Sequence, residues 1–144
     1  MLKLLPQPST PREATNIVRR NIDEGADIIK LFTGSNVSPA RVLPMSDDVA
    51  VAGGQILFGT DVGYLTDSDP SREYELMGRA GLTWREILAS LTTNPAARFR
   101  EASRRGRVAP GLAADLVVLR RDPPGDVRAL ADVRSTIRAG RVCY

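Results

Sequence analysis

Two short apolar runs constrain this chain more than any other feature. Residues 27–33 read Asp-Ile-Ile-Lys-Leu-Phe-Thr and residues 55–59 read Gln-Ile-Leu-Phe-Gly, each bounded by glycine and each short enough for a strand. In the first run Ile28, Lys30 and Phe32 alternate with Ile29, Leu31 and Thr33. Apolar residues therefore fall on both sides, as in a strand of a parallel sheet covered on both faces. Parallel strands are joined by a crossover of a dozen or more residues. Roughly twenty lie between the runs, which suffices for one right-handed β-α-β unit. The expectation is an α/β chain whose two strands are neighbours in a small open sheet.

Helix signals fill the rest of the first hundred residues. Thr10-Pro11-Arg12-Glu13 is a capping box with Pro at the first helical position. Ala14, Ile17, Val18 and Ile22 follow at helical spacing, and Gly25 is placed for a left-handed stop. Ser46 can cap a short helix through Val49 and Val51, and Ser71 opens one through Leu76 and Met77 that Gly81 ends. Thr83-Trp84-Arg85-Glu86 is a second capping box leading into Ile87, Leu88 and Leu91, with Trp84 as a packing residue. Thr93 or Asn94 caps a further helix with Pro95 at its first position and Ala96, Ala97 and Phe99 inward. After Gly106 the period changes to two. Residues 107–109, 115–119, 133–138 and 141–144 read as short strands, with Pro110-Gly111 and Ala139-Gly140 as turns. The chain accordingly divides into a segment 1–103 and a small β unit 104–144.

Composition excludes several classes. At 144 residues the chain can bury a core but falls short of the roughly 200 residues of a complete (β/α)8 barrel. A formal charge of +3, with arginines spread along the chain and 5% aromatic residues, gives no basis for nucleic-acid binding. No run approaches a membrane span, and the N-terminal leucines are interrupted by Lys3 and Pro6, so no secretory leader is expected. Cys143 stands alone, so an internal disulfide is impossible and the default compartment is the cytoplasm.

Two residues carry potential chemistry. Lys30 is a cation inside an apolar strand, where an unpaired ammonium costs several kcal/mol unless it is paired, neutralised or modified. Asp61 follows the second run through Gly59 and Thr60, placing a carboxylate where α/β sheets hold ligands, at the carboxyl ends of strands. A snorkelling Lys30 on an edge strand and an Asp61 that caps the next loop are the structural alternatives. Arg72, Glu73 and Glu75 read as a solvated helix face, and Tyr64 is near enough in sequence to flank Asp61. The chain has no histidine, the commonest partner for such a carboxylate.

The order of four motifs resembles the metal-dependent amidohydrolase superfamily, in particular its imidazolonepropionase-like and prolidase-like members. They are Ala26-Asp27-Ile28-Ile29-Lys30, Phe58-Gly59-Thr60-Asp61, Leu91-Thr92-Thr93-Asn94-Pro95-Ala96-Ala97, and Gly106 followed by Pro110-Gly111-Leu112-Ala113-Ala114-Asp115-Leu116-Val117-Val118-Leu119. The resemblance implies a partial (β/α)8-barrel remnant, made of the strand 4 and strand 8 units, followed by a small β unit from the family's β-sandwich. Lys30 resembles the strand 4 lysine that is carboxylated and bridges two metals in many members. Asp61 resembles the strand 8 aspartate that binds metal and shuttles a proton from the attacking water. Asn94 and Pro95 resemble a structural turn after the last barrel helix, and Asp115 a structural position in the sandwich.

The family pattern also needs a His-x-His pair on strand 1 and single histidines on strands 5 and 6, and none is present. Strands 1 to 3 would precede residue 5, and strands 5 to 7 would fall between residues 50 and 54. The expected function is metal-dependent hydrolysis of carbon-nitrogen bonds in small amides or dipeptide-like substrates, with divalent metal, zinc in the family, as cofactor. The isolated chain is expected to be truncated, inactive and metal-free. The alternative is a repurposed interaction or oligomerisation module that self-associates as a homo-oligomer. If Lys30 and Asp61 meet as a buried ion pair in place of a metal, Asp61→Asn lowers stability by roughly 3–5 kcal/mol, because the lysine loses its counter-charge. Chemical denaturation checks this, and an unchanged midpoint would discount the pair.

Overall fold

The computed structural model describes residues 10–29, 55–60 and 69–144, and the chain divides into two compact units, Met1–Met45 and Ser46–Tyr144. In the first, α1 spans Pro11–Asp23. Its start is the predicted one: Thr10 is extended, and its hydroxyl accepts the Glu13 N–H at 3.2 Å, satisfying an orphan amide. Gly25, at φ +97°, provides the left-handed stop. Ala14 is buried and Ile17 and Val18 half-buried, but Ile22 is exposed. The apolar face is therefore shorter than the spacing suggested. Residues 26–29 belong to no strand, and the remainder of the expected strand, from Lys30, lies outside the described residues.

Among its described residues the second unit carries three α-helices, α2 (Ser71–Arg79), α3 (Trp84–Leu91) and α4 (Thr93–Arg98); the helix expected from Ser46 lies outside them. Asp69 receives both the Ser71 N–H and its hydroxyl at 2.9 Å, tying down the entry to α2. The predicted capping box opens α3: Thr83 Oγ1 accepts the Glu86 N–H at 3.3 Å, and Glu86 Oε2 accepts the Thr83 N–H at 2.7 Å. Those bonds to Thr83 hold the Glu86 carboxyl below its ordinary range. The start of α4 differs from expectation. Its cap position is Thr92, whose hydroxyl donates to the Leu88 carbonyl at 2.6 Å and so closes α3 instead of opening α4. Ala96 is buried, whereas Ala97 and Phe99 are exposed. Six residues make less than two turns, enough to bury only one stripe.

These helices close around a small core. Tyr74, Ala80, Leu82, Ile87 and Leu130 are buried together, with Ile56, Phe58, Met77, Leu91, Leu119, Val127 and Ala131 packed against them. Ile87 is fully enclosed. The Phe58 and Tyr74 rings meet at 5.2 Å and 53°, a tilted contact that suits their quadrupoles. Trp84 is half-buried and carries the Arg85 guanidinium over its ring at 4.3 Å.

Beyond α4 the chain turns sharply. Arg100 is left-handed at φ +59°, the Glu101 N–H reaches the Ala96 carbonyl at 2.7 Å, and the Arg100 N–H reaches Ala97. Together these form a Schellman closure with arginine where glycine is usual. Residues 107–109, expected as a strand, are not one. The chain on either side is folded into turns, with the Arg104 and Arg105 N–H groups on the Glu101 carbonyl before it and the Ala113 N–H on the Arg104 carbonyl after it. Gly106 lies so close to α4 that an added Cβ would sit 2.4 Å from the Ala96 Cβ, and its φ is +101°.

The C-terminal strands β1 (Leu116–Leu119), β2 (Val133–Arg138) and β3 (Arg141–Val142) form an antiparallel meander in that order. Val117 faces Thr136 and Ile137 faces Val142, with a bulge between Val118 and Leu119. The β2–β3 turn has Ala139 at φ +49° and Gly140 at φ +77°, the two positive values of a type I′ hairpin. Alanine tolerates that conformation poorly, and the Asp115 carboxylate holds it by accepting the Ala139 N–H at 2.8 Å.

Two outcomes follow. Gly106→Ala is expected to destabilise the protein by about 2–3 kcal/mol, combining a positive φ with overpacking against Ala96, as measured by urea unfolding. Burial, and then the nearby Asp69 charge, raise the Tyr74 pKa above its ordinary value. A raised phenol contributes full stability below the unfolded value of about 10 and loses it as pH climbs toward the folded one. The melting temperature should thus fall more steeply above about pH 10 in the native protein than in Tyr74→Phe.

Candidate functional site

The two sequence-predicted site residues, Lys30 and Asp61, lie outside the described residues. The structure instead shows what holds the backbone immediately before Asp61. Residues 55–60, expected as a strand, take part in no ladder, since the only sheet among the described residues is the C-terminal meander. Their hydrogen bonds go to the α3–α4 elbow. The Phe58 N–H donates to the Ser90 carbonyl at 3.2 Å, and Asn94 Nδ2 donates to the Ile56 carbonyl at 3.0 Å. Ser90 is completely buried, and its hydroxyl is satisfied by the Ile87 carbonyl at 2.6 Å. Side chains complete the attachment, because Ile56 and Phe58 both pack against the core and Phe58 stacks on Tyr74.

Sequence reasoning assigned Asn94 to a turn or cap and did not find its partner 38 residues away. A carboxamide set beside Pro95 and Ala96 at the buried side of a helix start was the available signal. Thr92 had already taken the role of closing α3, leaving the Asn94 side chain for a long-range bond. Asp115 behaves similarly across 24 residues. Two polar residues of the recognisable motifs are thus fasteners between distant backbone segments.

A second charged region lies where α2 begins. A shallow groove of about 360 Å³ is lined by Asp69, Ser71, Arg121, Asp126, Arg128 and Asp132. Its charges answer one another: Arg121 Nε meets Asp132 at 2.9 Å, and Arg128 Nε meets Asp126 at 3.0 Å. The Arg128 hydrogen bonds depress the Asp126 carboxyl, while Asp132 and Asp126 raise Arg121 and Arg128 respectively. Such exposed pairs are structural and weakly stabilising. On the outer face of α2, Arg72 and Glu75 pair at 2.7 Å, in agreement with a solvated surface.

Among the described residues no group of three or more His, Cys, Asp or Glu side chains is placed so that it could hold a metal ion. The chain has no histidine, and a catalytic zinc takes three protein ligands. The described donor set does not fit a metal centre. No helix among the described residues is long and apolar enough to cross a membrane.

Comparison with known proteins is consistent with this architecture. The chain is similar to a Xaa-Pro dipeptidase crystallised with methionine in its active site, at 26% identity over 67% of this chain and 24% of that one, TM-score 0.62. It is similar to phenylurea hydrolase B at 27% identity over 67% of this chain and 25% of that one, TM-score 0.55. An amidohydrolase from Thermotoga maritima aligns over 92% of this chain and 35% of its own, TM-score 0.68; at 20% identity this speaks to fold alone. The chain spans between a quarter and about a third of the length of these proteins. No curated protein sequence matches it. The profile of the amidohydrolase family matches residues 38–144. That is most of the chain, which therefore belongs to the amidohydrolase family, within the metal-dependent amidohydrolase superfamily.

Proposed function

We propose that this chain carries part of an amidohydrolase site and does not hydrolyse substrate alone. The family match across residues 38–144, which includes Asp61, carries this reading. In it, residues 1–103 are a barrel remnant built from the strand 4 and strand 8 units, and residues 104–144 the sandwich segment. Asp61 is the inherited carboxylate that would bind metal and accept a proton from the attacking water, and Lys30 is the second inherited ligand position. The lineage's chemistry is hydrolysis of a carbon-nitrogen bond in a small amide or dipeptide-like substrate, with a divalent metal, zinc in this reading. The histidines such a centre needs have to come from outside these 144 residues, which contain none.

A second reading is favoured by the C-terminal sheet. Leu116, Val118, Ile137 and Val142 share one face by register, and Val142 and Tyr144 are each 71% exposed while Val117, on the opposite face, is 59% exposed. Apolar surface on an open three-stranded sheet suits an interaction or oligomerisation module.

Metal analysis of the purified protein, with an amide and dipeptide hydrolysis assay, tests the first reading. Zinc well below one equivalent and no turnover are expected; stoichiometric zinc with turnover would overturn it. Light scattering addresses the second, for which a defined oligomer is the expected result and a monomer the contrary one.

A further inference from the structure

We infer that Asn94 is a positioning residue for the backbone that leads into Asp61, an inference that rests on the reading of Asp61 as an inherited site carboxylate. The Ile56 carbonyl and the Phe58 N–H flank Leu57. In a strand, such a pair points to one edge and is what a parallel neighbour engages with one N–H and one C=O. Here both partners come from the elbow between α3 and α4: the Asn94 carboxamide supplies the donor at 3.0 Å and the Ser90 carbonyl the acceptor at 3.2 Å. The elbow thus does for residues 56–58 what an adjacent strand would do.

The anchor is rigid. Ser90 has no solvent exposure, Ile87 beneath it is fully enclosed, and the Ser90 hydroxyl is committed to Ile87. Both bonds fall three to five residues before Asp61, and the Phe58 ring, seated on Tyr74 at 5.2 Å, fixes the rotation of the chain between them. Of these contacts only the Asn94 bond is made by a side chain that a point substitution can remove without opening the core.

The isosteric variant Asn94→Asp separates positioning from simple helix stability. An acid in the first turn of a helix is favourable to the helix, yet it replaces the donor facing the Ile56 carbonyl with an acceptor. Amide hydrogen exchange on the full chain reads the two effects separately. The expected result is that Asn94→Asp and Asn94→Ala each speed exchange of the Phe58 amide by about tenfold or more, while the Ile87 and Ala96 amides, whose acceptors are Thr83 and Thr92, keep their native rates. Unchanged Phe58 exchange, or acceleration spread equally over all three amides, would overturn the inference.

Titration with Mn²⁺, followed by line broadening of the Gly59 and Thr60 amides, addresses the link to Asp61. Broadening that disappears in Asp61→Asn and weakens about fivefold or more in Asn94→Asp supports the link. Broadening that survives Asp61→Asn overturns the reading of Asp61 as a metal position; with that result, or with no broadening in the native protein, the exchange result judges the elbow on its own. Broadening lost in Asp61→Asn but undiminished in Asn94→Asp overturns the positioning role.

Discussion

The hydrogen bonds from the α3–α4 elbow to residues 56 and 58 are the constraint around which the second unit is arranged. They join a short segment to helices that begin more than twenty residues later, and they bring Ile56 and Phe58 onto Tyr74, Ile87 and Leu130. Leaving a buried carbonyl or amide without a partner costs more than a typical hydrogen bond returns. Without the elbow, segment 55–60 would have to expose those groups and withdraw its apolar side chains from the core. The buried serine and the half-buried asparagine are thus as structural as the leucines around them.

The same economy governs the C-terminal sheet. Its hairpin turns on Ala139, a residue ill-suited to a positive φ, and the turn is held from outside by Asp115. The close approach of Gly106 to Ala96 locks the connection between the helices and the sheet. Three motif residues, Asn94, Gly106 and Asp115, therefore do related work: each fixes one backbone segment against another. Packing and hydrogen bonding account for all three in this chain.

For function, membership of the amidohydrolase family and absence of histidine pull in opposite directions. The family is metal-dependent, whereas the described residues bring together no set of side chains that could hold a metal. The fasteners at Asn94, Gly106 and Asp115 act between protein groups, through two hydrogen bonds and one close packing contact.

The sequence by itself determined the helices that begin after Thr10, at Ser71 and after Thr83, the caps at Thr10 and Thr83, the Ala139-Gly140 hairpin and the family. All of these depend on interactions within a few residues, or on motifs whose order is preserved along the chain. It misassigned residues 55–59 and 107–109 as strands, because an apolar or alternating run becomes a strand only if a neighbour completes its ladder. It also placed Ala97 and Phe99 inside, since spacing cannot show how little of a six-residue helix is covered. Of the candidate site, the sequence supplied Lys30 and Asp61 but not the Asn94–Ile56 bond. Only the tertiary structure decided that the backbone preceding Asp61 is held by a carboxamide 38 residues from its acceptor, because the choice of partner for a buried carbonyl is made by three-dimensional proximity, on which local sequence carries no information.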